Sequence, residues 1–195
     1  MHEMGKKELI FVFTGPDGSG RKTVSDMVGE TLGIPKVVSY TTRKPRRGEV
    51  IGLDYHYTTM EQFTHDEHQG EYLESVEIGG IKYGIKEADL VSSLQHNGIS
   101  YAVLNAEGCE KLKALYGEKI ITIFLSVDVN TIVERQRVAG SSQELIDRHV
   151  AFFAQENAYQ NKCDFYFENY DSAHTAFAVT KLLEPYLNRN LIEEN

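Results

Sequence analysis

The chain has 195 residues, 41% hydrophobic and 25% charged, the profile of one soluble globular domain with a substantial core. A net charge of −9 argues against a general nucleic-acid surface, and no apolar run approaches the roughly 20 residues of a membrane span. Only two cysteines occur, Cys109 and Cys163, too far apart for a metal motif or a disulfide framework. The N-terminal residues lead straight into an apolar run and do not read as a signal peptide, so a cytoplasmic protein is expected.

The first predicted element is a β-strand, Leu9-Ile10-Phe11-Val12-Phe13. It breaks into a loop with glycines at 15, 18 and 20, then into a helix with Val24, Met27, Val28, Thr31 and Leu32 at helical spacing. Strand, glycine loop and helix in that order form the context of a phosphate-binding P-loop. Glycines let backbone N–H groups approach phosphate oxygens, and the helix N-terminus adds positive partial charge. Gly15-x4-Gly20 has the P-loop spacing, but Arg21 holds the usual lysine position, Lys22 the usual hydroxyl position, and Thr23 follows one residue late.

Gly33-Ile34-Pro35 ends the helix, and residues 36–40 form a short β run. Arg43-Lys44-Pro45-Arg46-Arg47 then puts four cations within five residues of an acidic protein. Ser39, Tyr40, Thr41 and Thr42 precede them, and Asp54-Tyr55-His56-Tyr57 follows. Arginine's planar fork suits bidentate phosphate binding and tyrosine hydroxyls add donors, so this is a second candidate anion site. Residues 60–70 read as a short amphipathic helix. Its His65-Asp66-Glu67-His68 run has no further ligand converging on it and reads as a solvated helix end. Residues 72–85 are β-rich and turn at Gly79-Gly80. Helices follow at 87–94, 108–116, 130–138, 143–160 and 173–186, and strands at 100–104, 120–127 and 165–167. The alternation predicts an α/β fold, with a five-stranded parallel core sheet flanked by helices.

Four blocks taken together resemble the guanylate kinase family: Gly15-Pro16-Asp17-Gly18-Ser19-Gly20, the run from Ser39 through Arg43, Arg46 and Glu49 to Tyr55, Gly70-Glu71-Tyr72-Leu73-Glu74 with Lys82-Tyr83-Gly84, and Phe165 to Asn169. The resemblance covers roughly residues 8 to 187. It implies a P-loop kinase fold with a core at about 1–36, 89–136 and 148–195, a monophosphate-binding lobe at about 37–88 and a short lid at about 137–147. It implies ATP-dependent phosphorylation of a nucleoside monophosphate, GMP to GDP, by a monomer or homodimer using Mg2+ with ATP. Loop residues 15–20, with Arg21 and Lys22, would then hold the donor triphosphate, and Thr23 would touch the metal. Ser39, Arg43, Arg46, Tyr55 and Tyr83 would hold the acceptor phosphate. Glu74 would face guanine, with Asn105 also in the base pocket. Arg135 and Arg148 would reach the transferring group from the lid, and Asn169 would lie near adenine.

Departures from the family pattern cluster on the base, donor and lid sides. Ile85 stands where a hydroxyl residue usually meets the guanine carbonyl. Val103 and Asn105 replace an acidic pair, and Ala139 replaces an arginine before the lid. Two other readings follow from them: a kinase for a different acceptor, and a guanylate-kinase-like module that binds without catalysis. Retention of all three loop glycines favours the enzyme.

Overall fold

A computed structural model describes residues 3–5, 8–46 and 48–192, with side chains to residue 187. The N-terminal reading, on residues 1–8, and the cation Arg47 fall partly or wholly outside the described residues. The chain divides into two compact units, residues 1–11 with 35–120, and residues 12–34 with 121–195.

In the first unit, β2 (Tyr40–Thr41), β3 (His56–Tyr57), β4 (Tyr72–Ile78) and β5 (Ile81–Lys86) form a sheet in the order β3-β2-β5-β4. Gly79 and Gly80, at φ 58° and 75°, supply the two positive-φ positions of the tight turn joining β4 to β5. The β4–β5 register shifts between Tyr72 and Glu74, a bulge, and beyond it Glu74 and Val76 lie on the same buried face by strand alternation. Gly84 permits the close approach, since a Cβ there would lie 2.7 Å from the Glu74 carbonyl oxygen. Helix α2 (Met60–His68) is capped by Thr59, which accepts from Gln62 N. Helix α4 (Ala106–Tyr116) is capped by Asn105 and packs on β4. Between them lie α3 (Glu87–Asn97) and β6 (Ile99–Val103), the strand beside β1 (Leu9–Thr14). The fifth strand expected after Pro35 is a single parallel bridge, Lys36 to Tyr101, closed by Tyr101 N to Pro35 O and Val37 N to Tyr101 O. Two backbone bonds form there before the chain leaves for β2, so the core sheet is four strands and a bridge.

In the second unit the strand order is β1-β7-β8, with β7 (Ile120–Ser126) parallel to β8 (Phe165–Glu168). β7 is buried along its whole length, Thr122 and Ser126 included, and Ile10 to Phe13 are at most 1% exposed, as strands with both faces covered should be. Helix α1 (Arg21–Leu32) starts on left-handed Gly20 and buries Val24 and Val28 at i, i+4 spacing. It packs on α7 (Ser172–Ile192). Helix α5 (Val129–Val138) and α6 (Gln143–Ala158) pack together and leave only residues 139–142 as the connection where the lid was expected.

Candidate active site

Within the second unit the glycine loop is shaped by φ angles of 135°, 88° and 89° at Gly15, Gly18 and Gly20. Side chains are excluded there by contact as well as by backbone. A Cβ on Gly15 would lie 2.0 Å from the Leu125 carbonyl oxygen, and one on Gly20 would lie 2.3 Å from Asn169 Nδ2. The underside of the loop is held by side chains. Asn169, fully buried, donates from Nδ2 to Ser19 O at 2.7 Å, while its backbone N donates to Ser126 O. Gln136 Nε2 donates to Asp17 O at 3.3 Å.

The two candidate loop cations part company. Arg21 is 17% exposed and turns back to pair with Asp17, four residues earlier. Lys22 is 53% exposed and sits 2.7 Å from Asp26 along the helix surface. Successive helix residues are rotated by about 100°, which separates them. Thr23 is exposed in the first turn of α1. No group of three or more His, Cys, Asp or Glu among the described residues is placed to hold a metal ion. One exposed hydroxyl does not fit a resident metal site; a divalent cation would have to arrive on the phosphates of a ligand.

Two further residues of the expected site lie beside the loop. The guanidinium of Arg135, expected at the transferring group, donates to backbone carbonyls of Asn169 at 2.6 Å, Tyr170 at 3.0 Å and Ser19 at 3.4 Å. It ties the loop to the end of β8. Asn169, expected near adenine, donates through Nδ2 under the loop, while its Oδ1 is buried with no hydrogen-bond partner. Arg148 is half-buried on α6.

In the first unit the basic run is organised around Glu49, a residue the sequence did not single out as a site residue. Arg43 grips it with both ends of its fork, at 2.6 and 2.7 Å. Arg46 N adds a bond at 2.6 Å and Tyr57 Oη another at 2.7 Å. The Arg43 guanidinium lies 4.8 Å from the Tyr55 ring centroid, and Tyr55 meets Tyr83 edge-on at 6.0 Å. Though burial opposes ionisation of both partners, these bonds prevail. Glu49 is held at a pKa of about 2, and Arg43 is raised above its ordinary value. Tyr57, by burial and its bond to Glu49, is pushed up to about 12. The Arg46 side chain is exposed, and Ser39 is buried.

The base-side carboxylate has the opposite character. Glu74 is 3% exposed, and its Oε2 is buried with no hydrogen-bond partner. Burial raises its pKa to about 7, against attraction from Lys111 and a bond from the Ile85 backbone N–H; Glu107 adds repulsion. Gly108 opens space at that oxygen, for a Cβ there would stand 3.0 Å away. Asn105 Oδ1 is taken by Gly108 N at 2.9 Å, and the Ile85 side chain is 1% exposed, inside the core.

A glycine loop opening a helix beside parallel strands defines a P-loop α/β protein. The guanylate kinase family model matches residues 7–186. A guanylate kinase of Malacoplasma penetrans is 30% identical over 188 residues, covering 94% of this chain and 96% of that protein. One from Fusobacterium nucleatum is 29% identical over 156 residues, covering 80% and 84%. Among solved structures, the guanylate kinase of Anaplasma phagocytophilum superposes with a TM-score of 0.71 at 25% identity, covering 91% of this chain and 85% of that one. The chain belongs to the guanylate kinase family.

Proposed function

We propose that the protein catalyses ATP-dependent phosphorylation of GMP to GDP. The observation that carries the choice of base is the orphaned, buried oxygen of Glu74. A buried carboxylate oxygen without a donor costs free energy, so the pocket is complementary to a ligand that brings one. Guanine offers N1–H and the exocyclic amine side by side. Adenine presents an acceptor at N1 and would oppose the carboxylate.

The acceptor phosphate is assigned to Ser39, Arg43, Arg46, Tyr55 and Tyr83, with Glu49 and Tyr57 as positioning residues. The donor triphosphate is assigned to residues 15–20, through the backbone N–H groups of Gly15 and residues 17–20, and to Arg21, with the divalent cation, Mg2+, entering as part of the donor substrate. In the reaction an acceptor phosphate oxygen bonds to the γ-phosphorus and the bond to the β-phosphate bridging oxygen breaks. Charge spreads over the transferring oxygens, and the protein's part is placement and cationic stabilisation. The substrates are cellular nucleotides, consistent with a cytoplasmic enzyme, and no described helix is long and apolar enough to cross a membrane.

The test is a coupled assay of GMP, dGMP, IMP, AMP, CMP and UMP with Mg–ATP. GMP should have the highest kcat/KM, and IMP, which lacks the exocyclic amine, should trail it. Preferred turnover of a pyrimidine nucleotide, or of AMP, refutes the guanine assignment.

A further inference from the structure

A loop built to bind an anion carries a carboxylate of its own. Asp17 lies between Gly15 and Gly18, and burial does not explain it, since its side chain is 46% exposed. Both of its oxygens face cationic or donor groups. Oδ1 pairs with Arg21, and Oδ2 is 3.4 Å from His149 Nε2 on α6. The histidine is oriented from behind. Gln136 Nε2 is 2.7 Å from His149 Nδ1 and 3.3 Å from the Asp17 carbonyl oxygen. A carbonyl needs a donor, so the amide nitrogen must face it, and Nδ1 of His149 then accepts. The remaining ring proton sits on Nε2, directed at Asp17. Glu156 crowds the same place: its Oε2 is 3.4 Å from Asp17 N, and burial, then Asp17, raise its pKa.

We infer that Asp17 is an internal competitor of the donor phosphates: it holds Arg21 when no nucleotide is bound, and His149 retains it when Arg21 turns to the donor. The inference rests on the reading that Arg21 faces the donor triphosphate. A carboxylate in a phosphate loop repels the ligand and engages the cation the ligand needs, so it lowers donor affinity on both counts. His149 works in the opposite direction, because each contact it keeps with Asp17 frees the guanidinium. Asp17 and His149 thus act through Arg21, as positioning residues that set the KM for ATP.

The experiment measures KM for ATP, KM for GMP and kcat, with calorimetric binding of Mg–β,γ-methylene-ATP, for wild type, Asp17→Asn, His149→Leu and the double variant. Asp17→Asn should bind the donor about fivefold more tightly, the scale of a partly exposed ion pair removed from competition. His149→Leu should bind it about threefold more weakly. In the Asp17→Asn background, His149→Leu should have no further effect, since its partner charge is gone. KM for GMP should stay at the wild-type value throughout. Asp17→Ser replaces Asp17→Asn should the latter not fold, with the same expected sign. Weaker donor binding in Asp17→Asn, or equal additive losses in both single variants, overturns the inference and makes Asp17 structural. A wild-type protein that phosphorylates GMP but whose donor affinity ignores Asp17 sinks the competitor role alone. Wild type that binds no Mg–ATP analogue sinks the donor-site reading beneath it.

Discussion

Glu74→Gln should remove a pH-dependent loss of stability from the folded protein. The ordinary glutamate value is 4.5, and burial raises Glu74 to about 7. Between those values the folded chain keeps a proton that the unfolded chain has released. Stability contributed by the neutral form is therefore complete below 4.5, falls as pH rises through the window, and is gone above 7. The gap corresponds to about 3 kcal/mol, of which about 2–3 kcal/mol lies between roughly pH 5 and pH 8. Glutamine has nearly the same shape and does not ionise. Its unpaired amide carries a cost of its own, on the order of 1–3 kcal/mol, but that cost is independent of pH and cancels when the two pH values are compared. Urea unfolding of both proteins at the two pH values supplies the measurement. Wild type should lose about 2–3 kcal/mol more than the variant on going to the higher pH. Other titrating groups are shared and drop out. Parallel stability changes would mean Glu74 is already charged and paired, and the case for a missing guanine partner would fall with it. The same coupling makes GMP binding release protons near neutrality, read by calorimetry in buffers of different ionisation enthalpy; Glu74→Gln should release fewer.

Arg43→Ala should weaken GMP binding more than Arg46→Ala, because it removes a cation and leaves the Glu49 carboxylate facing the phosphate; each loss is on the order of 1.5–3 kcal/mol by titration calorimetry, and equal small effects would mark the run as merely solvated. Glu49 contributes stability that is present above 4.5 and is lost as pH falls through about 2. Acid titration followed by circular dichroism should accordingly show wild type losing more of its neutral-pH stability toward low pH than Glu49→Gln. Arg21→Ala should abolish turnover, Lys22→Ala should leave it, and Arg21→Lys should hold or raise kcat; a dead Lys22→Ala beside an active Arg21→Ala would show that the loop register is shifted by one residue. Gly20→Ala should lower the melting temperature and destroy donor binding, because its Cβ meets Asn169 Nδ2 and its φ is +89°. Adding Asn169→Ala should recover only part of the stability, since the backbone strain persists.

The parts read correctly from sequence were those fixed by local chemistry. Positive φ at Gly15, Gly18 and Gly20 follows from spacing within a strand–loop–helix context, and the β4–β5 turn follows from two adjacent glycines. The strand at 120–127 follows from its largely apolar run. What escaped reading depends on partners distant in the chain. The bonds of Arg135 to the carbonyls of Ser19 and Asn169 join residues 116 and 34 apart, which no local pattern carries. Glu74 shares the buried face of β4 with Val76, and a lone carboxylate on that face gives no apolar signal of its burial. Glu49 had a visible signal, a carboxylate six residues after Arg43 in a basic loop, and its importance was passed over because attention went to the cations. The fifth strand was overread because a β-prone run was taken for a strand, when only two backbone bonds close there.

Glu49 also constrains how the acceptor lobe could drift over generations. Four hydrogen bonds from Arg43, Arg46 and Tyr57 converge on one carboxylate. Aspartate at that position is one carbon shorter and would have to shift the loop to keep them. Lysine at 43 offers a point charge that does not span both oxygens as the fork does. Phenylalanine at 57 leaves a lone pair without its donor. A substitution that spoils one member changes which replacements the others tolerate, so substitutions at 43, 49 and 57 should be non-additive.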